Sequence, residues 1–178
     1  GGSRERNPRP SARRSDPAGS LGACLGINGF YADPRKHPQL AGKCACHAAG
    51  GIHHNADDGW DLFAKVQTGS IGSVTIKNSV AYANGYLEDG TNAGNGNGFK
   101  MGGDSMPGSH VLENSIAFGN KAKGIDSNSC PDIKVKNCTT INNEGANVAF
   151  YTNSAKNTDF EATGVVSFRT SGEDVAEN

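Results

Sequence analysis

The sequence has few of the residues that build a helical bundle or a disulfide scaffold. Of its 178 residues, only 35% are hydrophobic and 7% aromatic, whereas 25 are glycine and 18 are asparagine. Glycine and asparagine are poor helix formers, so this composition disfavours a bundle of helices. The five cysteines are few and odd in number, which argues against a disulfide framework. No apolar run approaches the roughly 18 residues of a transmembrane helix, so we expect no membrane partner.

The chain also lacks an initiator methionine and an apolar stretch of the signal-peptide type. We therefore expect a processed chain or a piece of a longer protein. Residues 1–22 are rich in Gly, Ser, Pro and Arg, which predicts a disordered basic arm or linker. Such an arm can bind nucleic acid, but a solvated tail is the simpler interpretation, and we expect no nucleic-acid partner. Residues 23–170 are assigned to one folded domain and 171–178 to a polar C-terminal tail.

What the sequence does have is an internal repeat made of two alternating elements. The first recurs as NSVAY (78–82), NSIAF (114–118), NCTTI (137–141) and, in degenerate form, GVVSF (164–168). The second is a Gly or Asn followed by an apolar residue, at Gly29-Phe30, Gly59-Trp60, Gly98-Phe99, Gly124-Ile125 and Asn147-Val148. The repeat interval runs from 23 residues upward, which is too short for a closed β-domain and predicts stacked coils.

Apolar residues alternate with polar or small residues on both sides of the first element. Counted from its first residue, offsets −4, −2, +2 and +4 are apolar or aromatic at 14 of 16 positions. The two polar exceptions are His110 and Thr139. The sixteen positions are Val74, Ile76, Val80, Tyr82, His110, Leu112, Ile116, Phe118, Ile133, Val135, Thr139, Ile141, Phe160, Ala162, Val166 and Phe168. The alternation predicts strands with one buried face, and Asn at a coil corner tolerates the left-handed conformation.

The predicted fold is therefore an all-β solenoid, a parallel β-helix of about five coils. Neither end has a capping sequence, so we expect a fragment of a longer helix. A β-sandwich is the alternative, and it would show hairpin signals between its strands.

Stacking the second element places charged residues in one outward column. The apolar residue of each pair is expected to point inward and its successor outward, which gives the column Tyr31, Asp61, Lys100, Asp126 and Ala149. Since adjacent coils lie ~4.8 Å apart, Lys100 is expected between Asp61 and Asp126. A structural ion pair is the simplest alternative role for Lys100.

The acidic run around Gly59 predicts a calcium site. Asp57 and Asp61 share a face of an extended strand, and a bend at Gly59 can bring Asp58 round. With the Gly59 carbonyl and the Asn28 amide from the preceding coil, these are the hard oxygen ligands that Ca²⁺ prefers. A solvated acidic turn is the alternative. His53 and His54 lack a partner at zinc spacing and are interpreted as surface residues.

Four segments resemble the family 9 polysaccharide lyases, which are pectate lyases: IHHNADDGWDLF (52–63), GSVTIKNSVAYANGY (72–86), GNGNGFKMGG (94–103) and HVLENSIAFGNKAKGIDSNS (110–129). The resemblance covers about residues 26–155. It implies a right-handed parallel β-helix and cleavage of polygalacturonate by β-elimination, with calcium held by aspartates and a lysine as base.

The positions that match the family's motif are Asp57, Asp58, Asp61 and the Gly59 carbonyl for calcium, and Lys100 for the base. The family's remaining calcium aspartate corresponds to Asn28, a departure that implies weakened metal binding and impaired activity. Lys121, Lys123 and Asp126 are predicted to contact the acidic polysaccharide, with ordinary surface charges as the alternative.

We thus expect a secreted, periplasmic or cell-surface monomer that acts as a calcium-dependent lyase. One alternative is a non-catalytic β-helix that binds polysaccharide or serves as a surface module, with a structural calcium site. The other is a lyase for a different uronate polymer, such as alginate.

Overall fold

The computed structural model of the protein describes residues 44–150, 159–172 and 174–177. In these ranges the chain forms thirteen β-strands and no helix. The strands are β1 (Cys44–His53), β2 (Trp60–Asp61), β3 (Val74–Tyr82), β4 (Phe99–Lys100), β5 (Val111–Glu113), β6 (Ile116–Phe118), β7 (Ile125–Asp126), β8 (Lys134–Lys136), β9 (Thr139–Ile141), β10 (Val148–Phe150), β11 (Glu161–Thr163), β12 (Val166–Phe168) and β13 (Val175–Glu177). Within this part of the chain, no helix has the length and hydrophobicity needed to cross a bilayer.

The strands stack into two parallel sheets, which confirms the predicted β-solenoid. In the larger sheet, β1 pairs with β3, and β3 pairs in turn with both β5 and β6. From there one arm continues through β8 to β11 and the other through β9 to β12. The smaller sheet has the order β13-β10-β7-β4-β2. The described chain passes the smaller sheet five times, so it makes about four turns. Residues 171–178, assigned to a polar tail from sequence, include β13, which pairs with β10.

The corners of the coils lie where the repeat predicts them. Asn78, Asn114 and Asn137 have φ angles of 52°, 51° and 51°, and Gly164 takes the same place with a φ of 64°. Asparagine and glycine adopt this left-handed conformation at lower cost than other residues. Each corner turns the chain from one arm of the larger sheet into the other.

The prediction of a single buried face across the corner is wrong. Before the corner, Ile76, Leu112 and Val135 are fully buried, as expected. After it, the predicted inward residues face solvent, and Ile116 and Phe118 are 41% and 38% exposed. The left-handed corner residue shifts the alternation by one position, so smaller residues turn inward instead. These are Ser79, Ala81, Ser115, Ala117, Cys138 and Thr140, all buried.

The displaced residues form an outward column on the larger sheet. The Tyr82 and Phe118 rings stack with centroids 4.9 Å apart, and the His53 ring stacks on Tyr82 at 4.6 Å. His53 is exposed, in agreement with its interpretation as a surface residue.

A ladder of buried asparagines supports the turn that follows the larger sheet. Asn84 Nδ2 donates to Asn120 Oδ1, and Asn120 Nδ2 donates to Asn143 Oδ1, both at 2.8 Å. All three residues are fully buried. Because buried amides need partners, the ladder fixes the vertical register of the coils as they enter the smaller sheet.

Candidate functional site

The site lies on the outer face of the smaller sheet. On the inner face of this sheet, Phe99, Ile125 and Val148 are buried, and the Trp60 ring stacks on the Phe99 ring with centroids 6.5 Å apart. The residue after each of these points to the other face of its strand. The register pairs Asp61 with Lys100, Lys100 with Asp126 and Asp126 with Ala149, which confirms these four members of the predicted column; the fifth, Tyr31, lies outside the described residues.

Glycine before the apolar residue is what allows the coils to approach. A Cβ atom at Gly98 would lie 2.7 Å from the Gly124 carbonyl oxygen and 2.8 Å from Asn120 Nδ2. A Cβ at Gly59 would meet the Gly98 carbonyl oxygen at 2.6 Å. The Gly-apolar pair therefore sets the rung-to-rung contact that brings side chains of different coils together.

Lys100 lies between two carboxylates. Its Nζ is 2.9 Å from Asp58 Oδ2 and 3.3 Å from Asp61 Oδ2, and 5.1 Å from the centroid of the Phe63 ring. The Asp58 side chain is 1% exposed, the Lys100 side chain 13% and the Asp61 side chain 28%. The cluster is thus partly enclosed but open on the side of Asp61.

The other oxygen of each carboxylate is held by hydrogen bonds. Asp58 Oδ1 accepts from the backbone N–H of Asn97 at 2.7 Å and from Asn97 Nδ2 at 2.8 Å. Asp61 Oδ1 accepts from the backbone N–H of Phe63 at 2.9 Å. Both carboxylates are therefore oriented with Oδ2 toward Lys100.

The charges in this cluster do not balance. Partial burial lowers the pKa of Lys100, but the hydrogen bond to Asp58 and the negative charges of Asp61 and Asp58 outweigh it and raise the pKa. Burial raises the pKa of Asp61, and repulsion from Asp58 adds to it, although Lys100 opposes both. A single ammonium group thus leaves the two carboxylates short of positive charge.

The remaining residues predicted for this site have other partners. Asp57 Oδ1 accepts from the backbone N–H of Asn95 at 2.6 Å, so it is Asp58 rather than Asp57 that joins Asp61. Asp126 is buried, and its Oδ2 accepts from Lys123 Nζ at 3.1 Å while its Oδ1 accepts from the backbone N–H of Asn128 at 2.9 Å. Asp126 is therefore already paired, although it lies next to Lys100 in the column.

Lys121 contacts backbone, and Asn28 cannot be placed. Lys121 Nζ donates to the carbonyls of Ala93 at 2.9 Å and of Gly94 at 2.5 Å, which ties it to the loop before β4. Asn28 lies outside the described residues.

The donors around Lys100 fit a hard cation, although they do not form a complete metal site. Among the described residues, no group of three or more His, Cys, Asp or Glu side chains is placed to hold a metal ion. Yet the Asp58 and Asp61 oxygens already converge on one positively charged atom, and calcium prefers oxygen donors of this kind. Asp57 Oδ1 is engaged by the Asn95 backbone N–H, so Asp57 would join them through its Oδ2.

The role of Asn97 is one that the sequence reasoning missed. Trp60 pairs with Phe99, so Asp58 and Asn97, each two residues earlier, lie at matching positions on adjacent coils. The alignment of the Gly-apolar pairs therefore indicates that these two side chains are neighbours. Extending that alignment two residues before each apolar position would have found it.

These features define a parallel β-helix that carries an acid–lysine cluster on one sheet. Residues 35–159 match the family model described as "Pel9A-like, right handed beta helix region". The chain belongs to this family, which confirms the resemblance and assigns the solenoid its right hand.

Curated relatives extend well beyond this chain. It is 48% identical to pectate lyase L of Thermoclostridium stercorarium over 121 residues, which are 67% of this chain and 10% of that protein. It is also 48% identical to pectate lyase L of Paenibacillus polymyxa over 127 residues, 68% of this chain and 28% of that protein. A crystal structure of pectate lyase Pel9A aligns at 31% identity with a TM-score of 0.49, over 76% of this chain and 38% of that one.

Proposed function

We propose that the protein is a calcium-dependent pectate lyase that cleaves polygalacturonate by β-elimination, with Lys100 as the base. The family membership and the relatives named pectate lyase support this proposal. The observation that carries it is the position of Lys100 Nζ between Asp58 Oδ2 and Asp61 Oδ2, on an outward-facing rung of the smaller sheet.

The proposed chemistry begins at C5 of a galacturonate residue, whose proton is acidic because a carboxylate is attached to the same carbon. The Lys100 amine takes this proton, the electron pair of the C5–H bond forms the double bond between C4 and C5, and the C4–O bond breaks, with the departing oxygen taking a proton from water. Asp58 and Asp61 would hold calcium, joined by Asp57 and the Gly59 carbonyl. Bound there, calcium supplies a positive charge that stabilises the negative charge developing on the substrate carboxylate.

A base must be neutral before it can accept a proton. The charges that raise the pKa of Lys100 come from Asp58 and Asp61. When those carboxylates serve as ligands, their charge is compensated, and the partial burial of Lys100 then favours the free amine. The pairing of Asp126 with Lys123 removes a further acid that would otherwise hold Lys100 in its ammonium form.

We propose that Lys123 lines the subsite for the acidic polysaccharide, since it lies one coil beyond Lys100, and that the buried Asp126 contributes by holding the Lys123 amine. Lys121 would act through the loop whose carbonyls it holds. A polymer of this kind is met outside the cytoplasm, so we propose a secreted, periplasmic or cell-surface protein that works as a monomer.

The test is the substitution Lys100→Ala. We expect it to abolish the unsaturated product, which absorbs in the ultraviolet, while circular dichroism and the melting temperature show a folded protein. The matched control is Lys77→Ala, which removes a lysine paired with Glu113 on the other sheet and should leave activity unchanged. Turnover that persists in the Lys100 variant, or in excess chelator, would contradict the proposal.

One observation favours a non-catalytic polysaccharide-binding module instead. The two ionic contacts hold Lys100 as an ammonium group, which cannot take up a proton. Tight binding of polygalacturonate without turnover, at saturating calcium, would support this alternative. A panel of uronate polymers that includes alginate would separate a pectate lyase from a lyase of different specificity.

A further inference from the structure

The oxygens available to a metal ion at this site are the ones that Lys100 occupies. Asp58 Oδ1 is held by two hydrogen bonds from Asn97, and Asp61 Oδ1 by one from the Phe63 backbone. The two Oδ2 atoms face each other across Lys100 Nζ, at 2.9 and 3.3 Å from it, so a metal ion that bridges the two carboxylates through them takes the place of the amine. A metal ion bound by these carboxylates must therefore meet the ammonium group first.

We infer that the Lys100 ammonium is a built-in counter-ion of the Asp58–Asp61 pair, which calcium must displace in order to bind. The inference rests on the calcium site of the proposed function, and it adds a competition between that site and the base. Two positive charges a few ångströms apart repel strongly in a partly buried site, so both cannot share the same two oxygens.

Burial explains why a counter-ion is needed. The Asp58 side chain is almost completely enclosed, and an enclosed carboxylate without a positive partner is strongly destabilising. Lys100 supplies that partner from the next coil, so the fold can hold the acids together without a metal. The same contact keeps the amine away from substrate until the acids have a different partner.

The competition couples metal binding to release of the base. Calcium that takes over the two Oδ2 atoms sets the Lys100 side chain free to turn toward the open side of the cluster, at Asp61. The amine thus becomes available only when a metal ion is already bound. The same two oxygens hold the amine in the metal-free protein and bind the metal ion when the amine is released.

Calcium affinity is the measurement that tests the competition, because it needs no substrate. We expect Lys100→Met to bind calcium at least about tenfold more tightly than the natural protein by isothermal titration calorimetry. The matched control is Lys77→Met, which removes a lysine that pairs with Glu113 on the larger sheet and has no contact with this cluster. Its calcium affinity should change by less than about threefold, since it acts only through the screened field of the site.

A second variant keeps the test decisive if Lys100→Met fails to fold. Lys100→Arg retains the charge and can contact both carboxylates, so it should bind calcium no more tightly than the natural protein. Tighter binding in Lys100→Arg would overturn the inference.

Thermal unfolding supplies an independent readout. In excess chelator, Lys100→Met should have a lower melting temperature than the natural protein because the carboxylates lose their counter-ion. Added calcium should raise the melting temperature of Lys100→Met by more than it raises that of the natural protein. If Lys100→Met binds calcium no more tightly, or if Lys77→Met gains as much as Lys100→Met, the inference fails and the calcium site stands. If calcium binds to neither the natural protein nor the variant, the calcium site of the proposed function fails as well.

Discussion

His110 makes the stability of the solenoid depend on pH. It lies inside the coil just before β5 with 1% of its surface exposed, and its Nδ1 accepts a hydrogen bond from the Val74 backbone N–H at 3.1 Å. Burial lowers the pKa of His110 from 6.5 to about 4, although the negative charge of Asp132 opposes this. The folded protein therefore keeps His110 neutral at a pH where the unfolded chain has already taken up a proton.

The sign and size of the effect follow from this difference in pKa. The stabilisation is fully present above pH 6.5 and is lost as the pH falls toward 4, where the folded state is protonated as well. At about 1.4 kcal/mol per pKa unit, the contribution falls by about 2 kcal/mol between pH 7.5 and 5, and by about 3 kcal/mol at pH 4. His110 adds no further dependence once the pH is about one unit below that value.

Urea unfolding at several pH values between 7.5 and 4 measures this loss, with His110→Asn as the comparison. The asparagine amide oxygen can accept the Val74 N–H, but the side chain does not titrate. The difference in unfolding free energy between the two proteins should shrink by about 2 kcal/mol from pH 7.5 to 5.

The neighbouring groups do not titrate in this window. Burial raises the pKa of Cys130 to about 12, and the pKa of Asp132 is lowered because hydrogen bonds from Gly108, Ser109 and Cys130 outweigh its burial. Parallel stability curves for the natural protein and His110→Asn would refute the reasoning.

Two further substitutions test the supports of the fold and of the site. Asn120→Ala removes buried hydrogen bonds to Asn84 and Asn143 and should lower the free energy of unfolding, measured in urea, by about 3–5 kcal/mol. The control Asn114→Ala, at an exposed corner, should lower it by about 1 kcal/mol. Equal losses would contradict a stabilising role for the ladder. Asn97→Ala removes one of the hydrogen bonds that orient Asp58 and should weaken calcium binding and lower kcat/KM by roughly 10- to 100-fold. Calcium titration and the ultraviolet assay would measure the Asn97 effects, and unchanged values would exclude a positioning role.

The vertical register of the smaller sheet can be predicted because the sequence marks it directly. At Gly59, Gly98 and Gly124, an added Cβ would lie 2.6, 2.7 and 2.6 Å from a backbone carbonyl oxygen of the neighbouring coil, so a larger residue does not fit at any of the three. A steric requirement that recurs in these three successive coils leaves the same residue type at each of them. Alignment of the Gly-apolar pairs is therefore sufficient to place Asp61, Lys100 and Asp126 in one column, as the strand register has them.

The faces of the larger sheet could not be predicted in the same way. The apolar spacing is the same on both sides of Asn78 and Asn114, so the sequence pattern shows no change at the corner. The change lies in the backbone, because a residue in the left-handed conformation reverses which neighbours point inward. The asparagine ladder was not predicted either, although Asn84, Asn120 and Asn143 each follow a corner asparagine by six residues.

The sequence predicted one of the two acidic partners of Lys100, Asp61, but not the other, Asp58. Backbone register alone does not determine where the end of a long side chain lies. The column places Asp61 and Asp126 on either side of Lys100, but Lys123 engages Asp126 locally, and the amine reaches Asp58 instead. A local ion pair between residues three positions apart competes with the partner from the next coil, and column alignment alone does not rank the two.

The site is assembled by the stacking of coils and not by proximity along the chain. Asp58 and Lys100 are 42 residues apart in the chain, yet they meet because their rungs are adjacent. Most of that separation consists of β3 and the loops around it, whose length does not alter the pairing of β2 with β4. The contact between these two rungs depends instead on Gly59, where an added Cβ would lie 2.6 Å from the Gly98 carbonyl oxygen. The chemistry proposed for Lys100 therefore rests on a residue that has no side chain, since Gly59 sets the spacing between the rung of Asp58 and Asp61 and the rung of Lys100.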